Sequence, residues 1–432
     1  MPSPAVPSEE GLEWARRLVR LDTVSERSNL ALIETLADHL RTLGVPIRLT
    51  HDDTGRKANL FATIGAPRQG GIVLSGHTDT VPWDGQDWHD EPLSARVHDG
   101  RLWGRGSADM KSFIGLVVAR TQAWLEAELP QPLHYAFSYD EEVGCFGVRH
   151  LIADLQEAGI APAACIVGEP TEMVPALAHK GVHRWRCCVK GRAAHSSLAP
   201  RAVNAVEAAA RVVAAVADLG DSWRRDGPFH DGFDVPHATT SVGLIAGGIA
   251  DNIVAEDCRF HYEFRELPGQ DAAAMQARVR AAAAALEPAM RAVAPATGFA
   301  FEPICAIPAF SAGADEPAVR LARRLAGHGR TTLVAFGTEA GLFQRAGIST
   351  VVCGPGSIAQ AHQADEHVTL EQLARCEAFL DGLSRPDGPA AALSSASTSD
   401  LNSRRNRMVT TPTMPTISAH GDRNQAQAAK LM

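Results

Sequence analysis

In Ile72-Val73-Leu74-Ser75-Gly76-His77-Thr78-Asp79-Thr80-Val81-Pro82, the run Ile72 to Ser75 reads as a short buried strand. His77 and Asp79 follow just beyond its end. The same arrangement recurs along the chain. Leu133, Tyr135, Phe137 and Tyr139 alternate as a strand should, and Glu141 and Glu142 come next. Ile166-Val167-Gly168 leads to Glu169, and the run Ser349 to Cys353 precedes His362. Asp109 ends Gly104-Arg105-Gly106-Ser107-Ala108 and stands before a helical pattern from Met110 to Leu125. In open α/β sheets functional side chains collect outside the carboxyl ends of the strands. Five segments delivering imidazole or carboxylate to one sheet edge therefore point to a metal site. Imidazole and carboxylate without thiolate suit zinc, cobalt or manganese, whereas calcium favours oxygen alone.

Working outward, helical spacing over Glu10–Leu21 and Leu30–Leu43 flanks the first of these strands. Strands separated by helices predict a mostly parallel sheet covered on both faces. From Val182 the character changes. His183–Lys190 reads as a strand, Val203–Leu219 as an Ala/Val-rich helix, Thr239–Ile245 and Cys258–Arg265 as strands, and Ala272–Val293 as a second Ala-rich helix. This is an α+β unit inserted into the larger domain. The α/β pattern resumes with Ala318–Leu325, Ser349–Cys353 and Leu370–Leu383. The expected organisation is a catalytic domain over residues 1–181 and 297–385, an insert over 182–296, and a disordered tail over 386–432 rich in Ser, Thr, Pro, Asn and Gln.

Composition excludes more than it specifies. The 432 residues are 45% hydrophobic and 21% charged, with a net charge of -9. A nucleic-acid binder would carry a clustered basic patch, so none is expected as a partner. No run approaches the ~18 apolar residues of a membrane span, and Met1-Pro2-Ser3-Pro4 lacks the features of a signal peptide. The eight cysteines include no Cys-x-x-Cys pair, so a thiolate metal site and a redox dithiol are not indicated. Reduced thiols in a cytoplasmic protein are the expectation.

The motifs Ser75–Pro82, Gly104–Lys111, Asp140–Gly144, Gly168-Glu169-Pro170-Thr171 and Ala361–Glu366, in this order and spacing, resemble those of the M20 family of zinc aminoacylases and carboxypeptidases over residues 10–383. The resemblance implies an α/β fold with a mostly parallel-sheet di-zinc catalytic domain and an inserted α+β lid and dimerisation domain. It implies two Zn2+ per chain, which Co2+ can replace. Asp109 would bridge the ions, His77 and Glu169 would complete one site, and Glu142 and His362 the other. Asp79 would orient His77, and Glu141 would be the general base that passes a proton to the leaving amine. Gly191–Ser197 resembles the family's lid motif, which makes His195 an oxyanion donor to a partner subunit and implies a homodimer. Segments around Asn252 and Arg265 resemble those that hold the substrate α-carboxylate, a task suited to the arginine fork.

Arg101–Gly106, Ala178–Gly181, Phe336–Phe343 and Val351–Ile358 are most similar to the branch of the family that deacetylates N-acetyl-L-ornithine to L-ornithine and acetate, a step toward arginine. There Glu339 would approach the distal amine of the substrate; a helix-start carboxylate is the alternative. Succinyl-diaminopimelate desuccinylase, aminoacylase and glutamate carboxypeptidase activities remain open, as does a catalytically silent binding subunit.

Overall fold

The computed structural model describes residues 6–65 and 70–385. The proposed tail over 386–432 lies outside the described residues. The strands are β1 (Ile47–His51), β2 (Ala58–Ile64), β3 (Ile72–His77), β4 (Arg96–His98), β5 (Arg101–Trp103), β6 (Leu133–Ser138), β7 (Ala164–Pro170) and β8 (Ala176–His179). They continue as β9 (Gly181–Lys190), β10 (Thr239–Gly247), β11 (Asp257–Glu266), β12 (Gly298–Ile307), β13 (Phe310–Ser311), β14 (Thr332–Val334), β15 (Ser349–Gly354) and β16 (His367–Thr369).

A nine-stranded sheet runs β1-β2-β6-β3-β7-β15-β8-β13, with β14 beside β8. Its four central strands, β6, β3, β7 and β15, are mutually parallel, and antiparallel pairs lie outside them. Every residue of β3, β6 and β7 is buried; β3 and β7 read as apolar runs, whereas β6 keeps an alternating pattern although both its faces are covered. The helix Lys111–Ala119 is also buried at every position. Helix Glu9–Val19 crosses it where a Cβ on Gly115 would come within 2.6 Å of the Ala15 backbone, so only glycine permits that approach. The pattern Met110–Leu125 resolves into two helices, Lys111–Ala119 and Thr121–Glu126, broken at Arg120.

The second sheet, β10-β11-β9-β12, carries helices Ala205–Asp226 and Ala272–Val293. Asn204 and Asp271 cap their N-termini by accepting backbone hydrogen bonds. Its core, around Val212, Phe260, Tyr262 and Phe264, is separate from that of the large sheet. β12 pairs with β9 from Gly298 to Ile307, so the small sheet extends past residue 296, where the sequence reading ended the insert. Pro303, beside a register shift at the sheet edge, disguises that strand.

All eight cysteines are free. No helix among the described residues is long and apolar enough to cross a membrane.

Candidate metal centre

The parallel strands converge on one edge. His77 is the last residue of β3 and lies beside Ser138, the last residue of β6, so the chain leaving β6 brings Glu141 and Glu142 to His77. Glu169 lies in β7, next to β3. The chain leaving β15 carries His362, and Asp109 precedes the buried helix Lys111–Ala119.

The side chains lie close together. His77 Nε2 is 2.9 Å from Asp109 Oδ1 and 3.7 Å from Glu169 Oε1. On the other side of Asp109, His362 Nε2 is 3.3 Å from its Oδ2 and 3.0 Å from Glu142 Oε2. Asp109 thus turns one carboxylate oxygen to each histidine. His77, Asp109 and Glu142 form one group with donor atoms within 4.8 Å of one another, and His77, Glu141 and Glu169 form a second. His77 is 1% exposed, whereas the His362 side chain is 50% exposed, so solvent reaches the centre from the His362 side.

The electrostatics fit a cationic group. Burial pushes the Glu141, Glu142 and Glu169 carboxyls above their ordinary range, and neighbouring negative charge adds to this. His362 is drawn up to about 10 by its hydrogen bonds to Asp109 and Glu142. Burial works against a charged Asp109, yet His362 and His77 outweigh it and hold its carboxyl below the usual range. With these four acids ionised, three of them buried and Glu142 half-buried, two imidazoles could not balance them, and divalent cations would. The oxygen and nitrogen donors suit zinc, cobalt or manganese.

Asp79 does more than the sequence suggested. The nearest acceptor for His77 Nδ1 is the Asp79 carbonyl at 3.0 Å; the Asp79 carboxylate is 3.6 Å away. A proton on Nδ1 turns the Nε2 lone pair toward Asp109 and Glu169. The carboxylate accepts hydrogen bonds from the Glu141 and Glu142 backbone amides (3.1 and 3.3 Å) and from Ser25 Oγ (2.7 Å). Cys145 Sγ donates to Glu141 Oε1 at 3.2 Å.

Glu339 stands at the start of helix Ala340–Arg345. It is 1% exposed, and both oxygens accept hydrogen bonds, from Ser75 Oγ at 2.8 Å and from Ser138 Oγ. Its carboxylate ties the start of helix Ala340–Arg345 to β3 and β6.

His195, Asn252 and Arg265 stand on the small-sheet half and make their contacts there. His195 is exposed, with Nδ1 2.9 Å from Ser197 Oγ. The exposed Asn252 accepts from the Ser196 amide through its carbonyl, and Arg265 Nε donates to Glu263 at 2.9 Å.

Residues 73–385 match the family described as Peptidase family M20/M25/M40. The chain is 33% identical over 364 residues to an acetylornithine deacetylase of Klebsiella pneumoniae (strain 342), an alignment covering 83% of this chain and 92% of that protein. Among solved structures, the aminopeptidase PepT from Bacillus cereus superposes with a TM-score of 0.66 at 20% identity, covering 88% of this chain and 99% of the other. An M20 family metallo-carboxypeptidase from Sulfolobus solfataricus gives 0.67 at 16% identity, with coverages of 86% and 99%. A dinuclear metal-binding M20 peptidase from Bacillus subtilis gives 0.61 at 15% identity, covering 89% and 98%.

Proposed function

Because this chain belongs to Peptidase family M20/M25/M40 and is a metal-dependent amidohydrolase, we propose that it removes the acetyl group from N-acetyl-L-ornithine, releasing acetate and L-ornithine as a step of arginine biosynthesis. The observation that carries the reading is Asp109, whose two oxygens face His77 and His362, with Glu169 and Glu142 beyond them. The substrate assignment is supported by the 33% identity to a deacetylase of that name.

In this reading His77, Asp109 and Glu169 would hold one zinc ion, and Asp109, Glu142 and His362 a second; cobalt would be able to replace zinc. Two ions so held supply Lewis acidity toward a carbonyl and lower the pKa of water. Glu141 takes the proton from the attacking water and returns it to the α-nitrogen as the C–N bond breaks and the C–O bond forms. Its burial and raised pKa suit a carboxylate that must bind and release a proton. His195 of a second subunit donates to the developing oxyanion, and Arg265 and Asn252 hold the substrate carboxylate. Glu339 keeps β3 and β6 aligned beneath the ions.

A homodimer follows from this use of His195. It is supported by β10, an edge strand exposing Leu244 (62%) and Ile245 (53%), with Ile249 (87%) just beyond it. A cytoplasmic location accords with eight unpaired cysteines.

The test is hydrolysis by the purified chain, loaded with two equivalents of zinc or cobalt, of N-acetyl-L-ornithine, succinyl-diaminopimelate, N-acetyl-methionine and a glutamyl dipeptide. Chelator-sensitive preference for N-acetyl-L-ornithine is the expected result. Preference for another substrate overturns the assignment within the family, and inertness toward all four overturns the proposed activity.

A further inference from the structure

Asp109 and His362 lie far apart in sequence, on the helix-leading loop and the loop after β15, yet they must meet across a single ion. A polar chain, buried at Glu366 and Arg105 and half-buried at Gln86, touches neither side chain and joins their backbones. Glu366 Oε1 accepts the amides of Ala108 (2.9 Å) and Asp109 (3.1 Å), and its carbonyl accepts the Gly104 amide at 2.9 Å. Its Oε2 accepts Arg105 Nη1 at 2.7 Å, with both side chains 1% exposed. Arg105 Nη2 donates to Gln86 Oε1 at 2.6 Å, and Gln86 Nε2 donates to the His362 carbonyl at 3.0 Å. Trp88 closes the assembly: its Nε1 donates to Gln86 Oε1 at 3.1 Å, and its ring centroid lies 5.1 Å from the guanidinium carbon of Arg105.

The His362 loop needs such support. His362 (φ 61°) and Asp365 (φ 57°) both occupy the left-handed region, which non-glycine residues resist. Asp365 Oδ1 accepts the His89 amide at 3.0 Å, a second tie between this loop and the segment carrying Gln86 and Trp88. An isolated buried Arg105–Glu366 pair is weak evidence of a stabilising role. Here Glu366 also accepts the amides of Ala108 and Asp109, and Arg105 reaches the His362 segment only through Gln86. The guanidinium serves Glu366 and Gln86 from two nitrogens held in one plane, a span that the single nitrogen of lysine does not reproduce.

We propose that Arg105, Glu366 and Gln86 form a positioning clamp that sets the separation of Asp109 and His362 and so governs the ion they share. The inference rests on the two-ion reading above. Its test uses the full chain, metal-loaded and chelator-treated, as wild type, Gln86→Ala and Arg105→Lys. Gln86 is half-buried and its loss spares the core, so that variant remains informative if Arg105→Lys fails to fold.

In folded Gln86→Ala, one of two zinc equivalents should bind about 10–100-fold more weakly, the other unchanged, with a lower kcat and an unaltered KM. Backbone hydrogen exchange over 359–366 should quicken in the chelator-treated protein as well. Unchanged exchange there, or two equivalents bound with wild-type affinity, overturns the clamp. If the wild type takes up fewer than two equivalents, the two-ion reading fails, and the exchange comparison alone decides the clamp.

Discussion

Asp79→Asn separates two jobs that one residue performs. The carboxylate receives three donors: the Glu141 amide on Oδ1, and the Glu142 amide and Ser25 Oγ on Oδ2. Asparagine offers one oxygen and one NH2. With the NH2 on the Oδ2 side, Ser25 can reverse its hydroxyl to accept, but the Glu142 amide faces a donor. With the NH2 on the Oδ1 side, the Glu141 amide does. Either way one largely buried N–H is left without a partner, at a cost of about 2 kcal/mol, and hydrogen bonds to a full charge are lost. A fall of a few degrees in Tm should follow. The turn carrying Glu141 should relax away from the amide group, and a misplacement of about 1 Å can cost roughly 10²-fold in kcat. Metal content should not change, because His77 Nδ1 is nearest the Asp79 main-chain carbonyl, which the substitution spares. Differential scanning calorimetry, steady-state kinetics and metal analysis of one preparation provide the check. Loss of a metal equivalent would mean that the carboxylate, and not the carbonyl, orients His77. Wild-type kcat and Tm would refute the hydrogen-bond argument outright.

Glu141→Gln should lower kcat by about 10²–10⁴-fold with both metal equivalents retained; loss of a metal would move Glu141 into the ligand set with His77 and Glu169. His362→Ala should release one equivalent and keep the other, since His77, Asp109 and Glu169 remain; metal analysis after gel filtration reads this directly. Gly168→Ala would place a Cβ within 2.2–2.4 Å of three Phe113 ring carbons, and should cost about 1–3 kcal/mol in chemical denaturation. An unchanged midpoint would mean that the Phe113 ring can step aside without cost.

The ligand candidates were legible for a physical reason. A parallel strand buried on both faces announces itself as an apolar run, and the polar residue just past it has only the sheet edge to occupy. His77 and Glu169 stand at the ends of such runs in β3 and β7, and Glu141 and Glu142 follow the alternating pattern of β6. β1 and β2 carry no such residue, and the sequence reading passed over them; they complete the sheet without touching the centre. β12 was missed because Pro303 breaks its pattern.

The supporting layer was hidden for a different reason. Arg105 and Glu366 both stood inside quoted motifs, yet nothing local joins an arginine between two glycines to a glutamate 261 positions later. The signal available was burial: a charged residue enclosed in a glycine-rich turn needs an opposite charge brought to it by the fold. Ser75 and Ser138 offer no comparable signal, because a serine in an apolar run is an ordinary small residue until a carboxylate arrives, and Ser25, in the polar stretch 22–29, reads as an ordinary loop serine. Glu339 shows the consequence. Its motif placed it near the chemistry, but only the structure shows that Ser75 and Ser138 each donate a hydrogen bond to it. A motif therefore locates a carboxylate near a centre more reliably than it says what the carboxylate touches. Proximity is set by backbone path, whereas the partner is set by which donors the remaining elements bring to it.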